Sequence, residues 1–186
     1  MDSTILHIPE SIDTNEILVR FIFISDFKNK KIEVSKINDG EVFLDTRDLG
    51  VSLQRYLFCN ETECKKLALS IDKKIYVGFV VFKKEDFLKV KEEHKKEREE
   101  FEAQILFTPL DENNNIIEDK SNVYTNTLKN PSHSDLYYIN PAVVNDETPK
   151  TAIRQFSRKL VKSSNIIIDN STENFDYNLN NFSDFY

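Results

Sequence analysis

In the stretch NPSHSDLYY, residues 130–138, His133 and Asp135 stand two residues apart, where a polar region turns into an apolar run. An imidazole titrates near neutral pH and an aspartate can fix its tautomer, so the pair could serve as a general acid/base and its orienting group. Pro131 disfavours helix at Asn130, and an extended chain beyond it places His133, Asp135 and Tyr137 on one face. At that spacing the two Cβ atoms lie about 7 Å apart, so pairing needs a bend or a bridging group. The plainer role for His133 is a turn residue bonded to nearby backbone. Ser132 and Ser134 flank it without the strand-to-helix elbow of a nucleophilic serine.

Two arginines could complete such a site. Arg20 shares a strand face with Leu18, Ile22 and Ile24, and Arg55 shares one with Val51, Leu53 and Leu57. A guanidinium among apolar side chains is rarely left unpaired. Each either meets an internal carboxylate, with Asp45, Asp48 and Asp135 as candidates, or forms an anion site through its planar fork. His133 as acid/base, Asp135 as orienting group and Arg20 and Arg55 as anion contacts would suit phosphodiester cleavage without a metal, as in a small ribonuclease. No cofactor is implied, because three glycines leave no room for a dinucleotide fingerprint or a P-loop. Cys59 and Cys64 are too few to make a zinc site alone and read as reduced thiols at a strand–helix junction.

A second chemistry is binding. Lys150, Arg154, Arg158 and Lys162 recur at four-residue spacing opposite Ile153, Phe156 and Leu160, a basic stripe on an amphipathic helix. It would suit an acidic protein segment or an RNA or DNA backbone. Residues 171–186 hold no basic residue and end in Phe182, Phe185 and Tyr186, and they are expected to be poorly ordered in isolation. These rings either fold back over the domain or form a linear motif that docks on a partner or a second copy.

The elements that must position these groups are legible in outline. Residues 16–26 are apolar on both alternating faces, as an interior strand is, and 51–58 and 75–82 are again strongly apolar strands. KKIEVSKIN and EVFLD around NDG predict a hairpin nearer an edge. A short helix capped by Asn60 or Thr62 is expected to bury Leu67, Ala68 and Ile71. The run 83–100 alternates charges at i,i+4 and predicts a solvated helix with His94 exposed. Strands follow near 101–110 and 134–140, then a helix with Thr148 as N-cap and Pro149 at its first position, then a last strand at IIID. Together they predict one α+β domain over 1–170, a largely antiparallel mixed sheet with about three helices packed on it, and an acidic aromatic tail over 171–186.

A net charge of −7 in 186 residues argues against a protein that coats nucleic acid non-specifically. The acidic N-terminus and the lack of a long apolar run predict a cytoplasmic protein with no membrane association. The functional expectation is a non-catalytic interaction component of a multi-protein bacterial or phage system, for example in defence or counter-defence. Its partner would be another protein or a second copy, and the ribonuclease reading is the alternative.

Overall fold

The computed structural model describes residues 5–44, 50–140 and 149–186. Six strands form one antiparallel sheet: β1 (Ile17–Phe23), β2 (Val51–Arg55), β3 (Tyr76–Lys83), β4 (Glu102–Phe107), β5 (His133–Asn140) and β6 (Asn165–Ile168). Their order is β4-β5-β2-β1-β3-β6, so the three strongly apolar runs are interior, as the doubly apolar β1 must be. Three helices, α1 (Glu61–Leu69), α2 (Lys84–Glu97) and α3 (Pro149–Lys162), complete an α+β domain. No helix among the described residues is long and apolar enough to cross a membrane.

Each face of the sheet has its own core. Leu18, Ile22, Leu53, Val80 and Phe82 point to the face covered by α2 and α3, where they meet Phe87, Val90, Phe156 and Leu160. Ile153, Phe156 and Leu160 are all buried, the inner stripe that the 3.6-residue period predicts. Val19, Phe21, Phe79 and Val81 point the other way, onto Cys64 and Ala68 of α1 and Phe182 of the C-terminal segment. Asn60 caps α1 through a capping box with Glu63. Its buried residues are Cys64, Lys65 and Ala68, while Leu67 is half-buried and Ile71 exposed.

Three expectations change. The hairpin expected over residues 30–45 is absent among the described residues, which end there at 44 and hold only short turns and an isolated Phe27–Ile37 bridge. The segment serves α3 instead: Phe43 N–H donates to Ser157 Oγ at 3.1 Å, Ser157 donates to the Asp39 carbonyl, and Phe43 is fully buried. Residues 171–186 are likewise no free tail. They cross the α1 face as an irregular strap, and Phe182 is completely buried against Tyr56, Phe79 and Tyr177. Aromatic rings bury large areas, and an open sheet face is the nearest place to do it.

His94 is the third change. It sits inside the α2–α3 interface, edge-on to Phe101 at 4.4 Å between ring centroids, and among the described residues neither ring nitrogen has a well-formed hydrogen bond, a contact with the Ala152 backbone aside. Burial, helped by the Lys159 cation, lowers its pKa to about 4. An unfolded chain therefore binds a proton here that the folded one rejects, so stability falls as pH drops from about 6.5 to about 4, by up to about 3 kcal/mol. Melting temperatures measured at about pH 7 and about pH 5 are expected to lie closer together in His94→Phe than in the wild type. Equal gaps in the two proteins would show that His94 is not responsible.

Candidate functional site

On β5, alternation sends Leu136 and Tyr138 into the α2–α3 core and His133, Asp135 and Tyr137 to the opposite face. The His133–Asp135 pair is real but mediated. Nδ1 donates to the Thr108 carbonyl at 2.8 Å and lies 3.1 Å from the Thr108 hydroxyl, which donates to Asp135 Oδ2 at 2.8 Å. The direct Nδ1–Oδ2 separation is 3.8 Å. Thr108 is thus the bridging group that the strand spacing demands, and the proton is held on Nδ1. His133 is buried, and desolvation lowers its pKa against the pull of Asp135.

Arg20 does not share that surface. It sits on the Leu18 and Ile22 face, where β1 and β2 pair at only two positions, Leu18–Arg55 and Val19–Gln54. Immediately beyond them its guanidinium closes the ladder, donating to the carbonyls of Ser52 at 3.0 Å and Val42 at 3.2 Å. Burial lowers its pKa, with Asp26, Tyr138 and Asp135 opposing.

Arg55 is fully buried, and its internal carboxylate is Glu16. Nε meets Oε1 at 2.6 Å and Nη2 meets Oε2 at 2.8 Å, a bidentate pair. The remaining donors reach the carbonyls of Pro9 at 2.5 Å and Ser11 at 3.1 Å, and the cation lies over the rings of Phe58 and Phe107. This arginine is therefore a clamp on the N-terminal segment, with its fork already occupied. Of the other candidate partners, Asp45 and Asp48 lie outside the described residues, as does the Thr148 cap, and Asp135 is engaged by Thr108. Arg55 is thus committed to Glu16, while Arg20, on the Leu18 and Ile22 face, is near enough to His133 to act on it electrostatically.

The basic stripe of α3 is partly neutralised within the chain. Arg154 pairs with Glu41 at 2.6 Å and Arg158 with Asp39 at 3.6 Å, both from the segment that straps the helix, while neighbouring Lys159 pairs with Glu97 of α2. Lys150 and Lys162 at its two ends are exposed. In the strap, Phe182, expected to dock on a partner, is completely buried against its own domain, while Phe185 and Tyr186 remain partly exposed and the Tyr186 hydroxyl donates to the Val81 carbonyl at 2.8 Å.

A separate concavity lies elsewhere. A groove of about 770 Å³ runs between the N-terminal segment and the β2–α1 junction, bordered by Leu6, Asp13, Ile17, Leu57, Phe58 and Glu63. Phe58, Cys59, Glu63 and Asn126 continue it into a second lobe of about 210 Å³, walled by Leu128, Pro131 and Ser132. The NPSHSD turn therefore edges the groove, with His133 behind its wall. One wall is pinned by hydrogen bonds between Ile8 N and Val123 O, at 2.9 Å, and Thr125 N and Leu6 O, at 2.8 Å. Leu57 stands at the lip, 68% exposed, because the turn at Tyr56–Phe58 carries Tyr56 and Cys59 inward and leaves it outside. Among the described residues, the main lobe is lined by Asp13, Glu63 and the Arg55-paired Glu16 and by no Lys or Arg, while Lys66 and Lys129 line the second lobe.

Sequence reasoning missed Glu16, Thr108 and the groove itself. Leu57 followed by Phe58 at the end of an apolar strand carried the only local signal, an apolar residue out of phase once the strand turns. In comparisons with known proteins, no family model matches the chain, and no curated protein or solved structure matches it.

Proposed function

We propose that this chain is a non-catalytic protein-interaction component that takes a segment of a partner protein into the groove beside Leu57. The observation that carries the reading is the groove's make-up: an apolar floor, exposed leucines at the lip, and carboxylates as the charged lining of its main lobe. Exposed apolar surface bordered by polar groups is the usual mark of a binding site. The lining carboxylates that hold no ion pair among the described residues, Asp13 and Glu63, on a protein of net charge −7, favour a segment that combines large apolar side chains with Lys or Arg at the main lobe. Arg55 is engaged by Glu16 and Arg20 by the carbonyls of Ser52 and Val42, which favours binding over phosphodiester chemistry.

Selection of a displayed peptide library on the full chain tests this. Enriched peptides are expected to be apolar and basic, and Leu57→Glu, a surface change with little effect on stability, is expected to weaken their binding at least about tenfold. Enrichment of no peptide, or of peptides indifferent to Leu57→Glu, would defeat the proposal. Self-association that Leu57→Glu abolishes would identify a second copy as the occupant.

A further inference from the structure

The thiols of Cys59 and Cys64 are neighbours in space. Cys64 Sγ lies 3.3 Å from Cys59 Sγ and 3.3 Å from the Cys59 carbonyl, both cysteines are buried, and both are free. Their surroundings are unequal. Cys64 is enclosed by the α1 core, whereas Cys59 lines both lobes of the groove. We infer that Cys59 and Cys64 form a reversible redox pair, oxidised to an intramolecular disulfide by a peroxide entering through the groove.

The geometry assigns the order of events. Cys59 is the sulfur a small oxidant reaches first, and Cys64, whose thiol is pushed up by burial, stays protonated beside it. Cys59 loses its proton to solvent, and its thiolate attacks one peroxide oxygen. The O–O bond breaks, the departing hydroxide takes up a proton to become water, and Cys59 is left as the sulfenic acid. The Cys64 sulfur then attacks the Cys59 sulfur. The S–O bond breaks, and the leaving hydroxide carries off the Cys64 proton as a second water. The two sulfurs together lose two electrons, and the peroxide gains them. Closing the separation from 3.3 Å to the bonded distance of about 2.05 Å brings the two sulfurs together by about 1.2 Å at the β2–α1 junction. Such a bond is consistent with a reducing compartment, where protein disulfides form transiently in response to oxidants.

The test uses the full chain, reduced and then exposed to hydrogen peroxide, denatured in N-ethylmaleimide and weighed by mass spectrometry. A mass lower by two hydrogens is expected, with no maleimide adduct, monomeric migration on a non-reducing gel, and return of both thiols after dithiothreitol. Two maleimide adducts, under exposure that oxidises a free dithiol, would overturn the inference, as would disulfide found only between chains. In Cys64→Ala, Cys59 is expected to stop at a sulfenic acid that dimedone traps. A Cys59 that stays fully maleimide-reactive would overturn the assigned order. The wild-type measurement holds whether or not the variant folds.

Discussion

Removing residues 171–186 is expected to lower the melting temperature by about 10–40 °C. The loss has two sources. Phe182 is fully buried on the α1 face, and emptying such a site costs about 3–5 kcal/mol. The second is Lys65, whose ammonium pairs with Asp169 at 2.7 Å with neither side chain exposed, and donates to the carbonyls of Ser171 at 2.7 Å and Asp176 at 3.1 Å. Truncation takes both carbonyls away and leaves a buried cation short of acceptors, at about 1–3 kcal/mol for each one lost. The sum is comparable to the whole stability of a domain, about 5–15 kcal/mol. A thermal melt that moves by less than about 2 °C would show instead that the strap is peripheral. Phe182→Ala separates the two contributions, since it empties the ring site and keeps the Lys65 acceptors.

Glu16→Ala is expected to cost about 3–5 kcal/mol in urea unfolding, because it strands the Arg55 cation in the interior. Glu16→Leu combined with Arg55→Met, which removes both charges and keeps apolar volume, is expected to be more stable than Glu16→Ala alone. Part of the loss should persist, since Arg55 also holds the carbonyls of Pro9 and Ser11. A cost below about 1 kcal/mol for Glu16→Ala would mean that solvent reaches the arginine and that the groove wall is not clamped.

The parts of the fold visible in the sequence are those whose burial is local and periodic. Val19, Phe21 and Phe23 against Leu18 and Ile22 announce a strand covered on both faces, and Ile153, Phe156 and Leu160 announce the inner face of α3. The inner face of α2, Phe87, Val90 and His94, has the same i, i+3, i+7 spacing, but the surrounding charge pairs mask it. What stayed hidden depends on partners distant in sequence. Lys65 on a charged helix looks like any solvated lysine until Asp169, more than a hundred residues on, is brought to it. Phe43 looks like a strand residue because its hydrogen-bond acceptor, Ser157, belongs to a helix. In the candidate site, the His133–Asp135 relation was legible and its bridge, Thr108, was not, since β4 and β5 are joined only through a long loop. The groove could not be read at all, because its walls come from three separate stretches of chain.

The strand order carries a kinetic meaning. β3 pairs with β6 across a separation that runs from Val81 to Asn165, β2 pairs with β5 from Val51 to Leu136, and Ile8 finds Val123. Each of these ladders must close a loop of tens of residues before it gains a single cross-strand contact, an entropy spent early and recovered late. Such a chain belongs with the slow folders, reaching its native state in milliseconds to seconds rather than microseconds. Until β6 docks, the apolar edge of β3 stands open, so the interval before the last pairing is when the chain is most prone to join a neighbour's edge strand.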